Sequence, residues 1–126
     1  MNKKIIKTDK ASRPVGPYNQ AVAIGNLIFT AGQIPLESQG NMVAGGIKEQ
    51  TEQVIQNLIA VLTGGGSSLD RVVKATVFLK DLNDFAGMNE VYGKYFKAET
   101  APARSTLQVA RIPKDALVEI EVVAYI

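Results

Sequence analysis

The apolar positions of this chain change their spacing several times, and each change marks an element. Residues 21–24 and 27–31 are short, almost wholly apolar runs on either side of Gly25-Asn26. Two residues of that kind between two strands predict a tight hairpin. Gly32 and Pro35 close the second strand, and the three glycines within 38–46 read as a loop. Ile47, Thr51, Val54, Ile55, Leu58 and Leu62 then recur at helical spacing. That predicts an amphipathic helix of about four turns, stopped by Gly64-Gly65-Gly66. From 71 to 79 the period drops to two, with Val73, Ala75, Val77 and Leu79 on one face and Lys74, Thr76 and Phe78 on the other, which predicts a strand. Asp81 or Asn83 can cap a second helix, along which Phe85, Met88, Tyr92, Tyr95 and Phe96 again follow helical spacing. Residues 103–110 and 117–126 read as two further strands, joined by turn chemistry at Pro113-Lys114-Asp115.

The order strand, strand, helix, strand, helix, strand, strand is an α+β layout, with two helices on one face of a mixed β-sheet and one domain spanning 1–126. In the last strand Val118, Ile120, Val122, Ala124 and Ile126 make one apolar side, expected to meet the helices. Leu117, Glu119, Glu121, Val123 and Tyr125 make the other side, which mixes two acids with large apolar groups. A sheet face of that kind is either partly solvated or covered by another subunit. Arg104, Thr106 and Gln108 form a polar stripe on the neighbouring predicted strand, with Ser105, Leu107 and Val109 opposite.

Composition narrows the chemistry more than the fold. The 126 residues are 46% hydrophobic and 21% charged, an ordinary globular balance. A formal charge of +2, from 14 basic and 12 acidic residues, does not argue for nucleic acid or an acidic membrane. Lys3, Lys4, Lys7 and Lys10 read as a solvated tip. There is no Cys, no His and no Trp. Disulfides, thiolate nucleophiles, Cys/His zinc sites and every Ser-His or Cys-His mechanism within one chain type are therefore excluded. The twelve acids show no metal-binding spacing, so no metal is expected. Residues 1–10 lack the apolar core of a signal peptide and no run is long enough to span a membrane, so a cytoplasmic location is expected.

Catalysis would then fall to Arg, Lys, carboxylates, hydroxyls, backbone N–H groups and water. Arg104, at the start of a strand after Ala101-Pro102-Ala103, is either a surface ion-pair residue or a clamp that grips a carboxylate through its planar fork. Glu119, at i, i+2 with Glu121, is either solvent-facing or able to orient a water and shuttle a proton. Tyr18, after Gly16-Pro17, either closes a site or caps the core. Gly32 either ends a strand or offers its N–H to an anion. Gly64-Gly65-Gly66-Ser67-Ser68 lacks the Lys and the preceding strand of a phosphate loop and reads as a helix stop.

Several of these segments together resemble a known family. Gly16-Pro17-Tyr18, the stretch from Thr30 through Gly32 to Leu36, Val73 to Phe78, Pro102-Ala103-Arg104-Ser105, and Val109 to Lys114 followed by Glu119-Ile120-Glu121 are similar to the RidA/YjgF/YabJ family. The resemblance runs from about residue 8 to 125 and is most specific between Pro102 and Glu121, where it matches the deaminating RidA branch.

The resemblance implies a chorismate-mutase-like fold and a homotrimer with clefts between subunits. It implies hydrolysis of reactive 2-imino acids and their enamine tautomers, such as 2-iminobutanoate and 2-iminopropanoate, to 2-keto acids and ammonia, with no cofactor. Carried over by position, Arg104 is the carboxylate clamp and Glu119 orients the attacking water. Gly32 helps hold the ligand, Tyr18 lines the cleft, and Asn89 and Thr106 lie near it. Thr30 stands where the family commonly has Ser, and Thr106 where many members have Cys, so the resemblance gives no thiol to regulate. The partners implied are small carboxylate-bearing imino or keto acids, with no membrane and no nucleic acid. Two other readings stay open: a non-catalytic ligand-binding or regulatory protein using the same arginine, and an endoribonuclease or translation inhibitor, against which the weak charge and absent His argue.

Overall fold

The computed structural model describes residues 2–126, so Met1 of the N-terminal stretch lies outside it. Six strands form one mixed sheet: β1 (Lys4–Ile6), β2 (Ala21–Ile24), β3 (Leu27–Thr30), β4 (Val72–Leu79), β5 (Ala103–Gln108) and β6 (Val118–Tyr125). Two helices, α1 (Ile47–Gly64) and α2 (Phe85–Tyr95), complete the α+β architecture expected from the pattern. The spatial order is β1-β2-β3-β6-β4-β5, antiparallel throughout except for the β4–β5 pair. Parallel neighbours need a crossover, and α2 supplies it. Gly25 turns the β2–β3 hairpin at φ 58, a conformation that L side chains avoid.

Both helices lie on one face of the sheet. Val54, Ile55, Leu58, Val61 and Leu62 of α1 and Met88 and Val91 of α2 bury against Ala75, Val77 and Leu79 of β4 and Val118, Ile120, Val122 and Ala124 of β6. Each fully buried Leu or Ile there contributes about 1.5–3 kcal/mol of transfer free energy. At Gly87 the helices approach so closely that a Cβ would stand 2.8 Å from Cγ2 of Ile47, and Lys48 Nζ bridges to Glu90 at 2.8 Å nearby. Gly65 closes α1 where a Cβ would meet Ile6 and Ile28, so this glycine is required by packing as well as by the helix stop.

Lys3, Lys4, Lys7 and Lys10 are all exposed, as a solvated stretch should be, although Lys4 opens β1, which pairs Ile6 with Ala21. Two expectations need correction. In β4 Val73 is 46% exposed, and Val72 takes the inward place. A register shift between Val72 and Lys74 is the cause, since one irregular step moves side chains to the other face. At the chain end Ile126 falls beyond β6 and is exposed rather than facing the helices.

The other face of the sheet is open. It presents Leu27, Phe29, Glu119, Glu121, Val123, Tyr125, Thr76 and Phe78, and Ser105 and Leu107 continue it across β5. Leu27, Phe29, Tyr125 and Leu107 are each about two-fifths exposed in the single chain.

Candidate active site

The residues singled out from sequence fall into two groups on opposite faces of the sheet. Arg104 lies level with buried Ala75 on the helix side of edge strand β5. Phe85, Asn89 and Tyr92, at i, i+4 and i+7 of α2, form one stripe facing it. The Arg104 guanidinium carbon sits 4.6 Å from the Tyr92 ring centre and 5.5 Å from that of Phe85, within cation–π range of both. Arg104 Nη1 donates to Asn89 Oδ1 at 2.7 Å. The guanidinium is thus steadied by two rings and one amide, yet it has no carboxylate partner among the described residues.

Around it two hydroxyls lack partners. Among the described residues Tyr92 Oη and Thr106 Oγ1 are buried without a hydrogen bond of good geometry, although the Arg104 guanidinium lies close to the Tyr92 phenol. Burial pushes the Tyr92 phenol up from its usual pKa, against the opposing pull of Arg104. Thr106 stands two residues from Arg104 on the same side of β5, about 7 Å along the strand. A buried donor without a partner costs about 1–3 kcal/mol, so two beside an unpaired cation leave a place ready for a polar ligand.

The second group lines a cleft of about 670 Å³ that includes Tyr18, Gly32 and Glu119. It forms where β3 breaks from β6. Phe29 pairs with Val123 and Gln33 bridges to Ile120, so four steps on one chain face three on the other, which is a bulge. Thr30 Oγ1 accepts the Val122 N–H at 3.0 Å across the gap. Ala31 N–H goes to Gln20 O and Gln33 N–H to Ile120 O, both at 2.8 Å, whereas Gly32 N–H makes no hydrogen bond among the described residues. Glu119 packs its carboxyl directly over the Gly32 Cα. Burial, and then the charge of Glu121, raise the Glu119 pKa above the usual carboxylate range. Tyr18 is half exposed and its Oη accepts the Val15 N–H at 3.3 Å.

Sequence reasoning missed the residues that hold these groups in place. Gln20, buried, accepts from Thr8 N–H and donates to the carbonyls of Thr8 and Ser12, so it ties down the segment that leads to Tyr18. Asn57 of α1, also buried, donates to the carbonyls of Ile34 and Leu36 at 3.0 and 2.9 Å and fixes the chain just past Gly32. The only sequence signal for either is a polar residue within or beside an apolar run. Helical spacing places Phe85 and Tyr92 on one apolar stripe without marking their contact with Arg104; Tyr92 is buried, Phe85 is 38% exposed, and both rings lie against the guanidinium. Among the described residues no group of three His, Cys, Asp or Glu could hold a metal ion, and no helix is long and apolar enough to cross a membrane.

The family described as Endoribonuclease L-PSP matches residues 8–126. A RutC family protein of Pyrococcus abyssi is 56% identical over 126 residues, covering 99% of this chain and 98% of its own. The chain belongs to the RidA/YjgF family. Other RidA relatives agree in sequence and shape. TdcF of Escherichia coli, provisionally named a reactive intermediate deaminase, is 44% identical over 97% of this chain and 96% of its own. The crystal structure of E. coli TdcF with bound serine superposes with a TM-score of 0.91 at 42% identity, covering 98% of each chain. RidA of the Antarctic bacterium Psychrobacter sp. PAMC 21119 gives 0.92 at 44% identity, covering 98% of this chain and 99% of its own.

Proposed function

We propose that this chain hydrolyses reactive 2-imino acids and their enamine tautomers, including 2-iminobutanoate and 2-iminopropanoate, to 2-keto acids and ammonia. The observation that carries this reading is the half-buried Arg104 guanidinium, steadied by Asn89, Phe85 and Tyr92 and left without a carboxylate. A planar fork so fixed can take a substrate carboxylate through two parallel charge-assisted bonds. The serine in TdcF carries such a carboxylate.

The open sheet face and the split between the two groups support a homotrimer. Arg104, Asn89 and Thr106 of one subunit would then meet Glu119, Gly32 and Tyr18 of the next. With the carboxylate held, water attacks the C=N carbon and the nitrogen takes up a proton. The carbinolamine hydroxyl then gives up its proton, a proton is delivered to the nitrogen, and the C–N bond breaks to release ammonia and leave the keto acid. Glu119 is suited to order the water and pass the proton, because its carboxyl lies over Gly32 in the cleft and burial raises its pKa, which makes it a better proton acceptor than a solvated carboxylate. Gly32 N–H is free to donate to the ligand, Thr106 Oγ1 to bond its polar end, and Tyr18 to close the cleft. Imine hydrolysis needs little beyond positioning and one oriented water.

The test is ammonia release from imines made in situ by an amino-acid oxidase, against a reaction without this protein. Acceleration supports the deaminase. Binding of 2-keto acids without acceleration would turn the reading to a carboxylate-sensing protein that uses the same arginine.

A further inference from the structure

The cleft beneath Glu119 contains more charge than a short monocarboxylic substrate can use. Glu119 is the one acid in its lining, which also includes Arg13, from the segment before Tyr18, and Lys114, from the turn before β6. Both cations are exposed and neither makes an ion pair among the described residues. Ser12, Gln33 and Ser38 add polar groups around them. At about 670 Å³ the cleft falls within the usual range of small-molecule sites.

The backbone at Lys114 is an independent sign. Lys114 (φ 58, ψ 22) and Asp115 (φ 56) are consecutive non-glycine residues in the left-handed region. Glycine or Asn would fit such a turn with less strain, and strain of this kind gathers where a site needs it. The turn is held by Asp115 N–H to Ile112 O at 3.0 Å, by buried Ile112 and Ala116 at its ends, and by Arg111, which grips both oxygens of Asp115 at 2.7 and 3.1 Å. An exposed Lys is thus fixed in an unfavourable conformation at the rim of the cleft.

We infer that Arg13 and Lys114 form a second anion subsite, and that the chain prefers imino and keto acids bearing a carboxylate at each end. This rests on the deaminase reading only for where the first carboxylate and the imine carbon sit. Arg104 of the neighbouring subunit holds the first carboxylate, Glu119 faces the C=N carbon, and Arg13 and Lys114 take the distal one.

The experiment compares calorimetric affinities for 2-oxoglutarate and 2-oxobutanoate on the intact protein. The wild type should bind the dicarboxylate more tightly. Arg13→Gln combined with Lys114→Asn should lower the affinity ratio about ten-fold or more, the least a lost charge-assisted contact is worth. Asn tolerates the left-handed backbone, so the turn is kept. Lys97→Asn, a charge loss outside the cleft, should leave the ratio alone. Equal wild-type affinities, or a ratio unmoved by the double variant, would overturn the inference. Turnover of the matching imines separates it from the deaminase reading. Hydrolysis without dicarboxylate preference sinks the subsite alone, whereas a falling affinity ratio without any hydrolysis sinks the deaminase alone.

Discussion

The Glu119 side chain fills the space beside Gly32 where any other residue would carry its Cβ, which would stand 2.8 Å from Cδ and 3.0 Å from Cγ of Glu119. Gly32→Ala should therefore displace the carboxylate rather than unfold the sheet, because the obstructing atoms are the far end of a flexible side chain. The expected result is a melting temperature within a few degrees of wild type and a fall in imine turnover of about ten-fold or more, as an unpositioned proton-transfer group loses most of its effect. Wild-type turnover in folded Gly32→Ala would show that the close approach has no catalytic meaning.

The same carboxylate gives a pH signature. Burial and Glu121 raise its folded pKa, so the charged form is disfavoured in the folded state. Below the ordinary carboxylate value, both folded and unfolded chains carry the proton and Glu119 costs nothing. As pH rises from there through the raised folded value, the unfolded chain releases its proton first and stability falls. Glu119→Gln should match wild type in acid and melt higher near neutrality, while losing turnover. The guanidinium proposed to arrive from the neighbour opposes this slope, so an Arg104→Ala background should steepen it. Melting temperatures between about pH 4 and about pH 7 read this out. A variant that tracks wild type across that range would mean Glu119 is not desolvated.

Elements with a clean period were legible in the sequence; their neighbours across the fold were not. Val54, Ile55, Leu58 and Leu62 mark α1 because a helix repeats its buried face locally. Strand β1 escaped because Ile5 and Ile6 sit among lysines, and three residues hold too little pattern to show a period. Val73 was assigned to the wrong face because a bulge is a relation between two strands, invisible in one. Phe85 and Tyr92 sit on a true helical stripe, but the stripe does not say that Arg104 lies opposite. The separation of Arg104 from Glu119 needs the strand order and the facing direction of β5 and β6, neither of which local spacing encodes. Resemblance supplied their names without that geometry.

The open sheet face leads to an assembly prediction. Sedimentation equilibrium should return about three times the 13.5 kDa chain mass. Phe29 is 41% exposed on this face and outside the core, so Phe29→Lys should leave the subunit folded while burying a charge in the proposed contact. The variant should sediment as a monomer with imine hydrolysis lost, because neither group of residues is then completed. A wild-type monomer at micromolar concentration, or an active monomeric variant, would end the shared-site reading.

Arg104 itself decides the central claim. Arg104→Ala removes the fork and leaves Asn89 Oδ1 without its donor, on a residue that is only half buried. The cost in stability should be small, about 0.5–1 kcal/mol for an exposed-to-intermediate cation–π contact plus a similar amount for the amide bond. The cost in turnover should be larger. A charge-assisted bond is worth about 1.5–3 kcal/mol, so at least about ten- to hundred-fold should be lost, and more if both arms of the fork are used. Arg104→Lys keeps the charge but offers a compact ammonium where two rings and an amide hold a plane, and it should recover little. A structural ion-pair role would give the reverse pattern, with a marked drop in melting temperature and near-normal turnover per folded subunit. Among the described residues of one subunit no carboxylate lies beside Arg104, so a structural ion pair would need an anion from the neighbouring subunit, and the balance between lost turnover and lost melting temperature separates that role from the clamp.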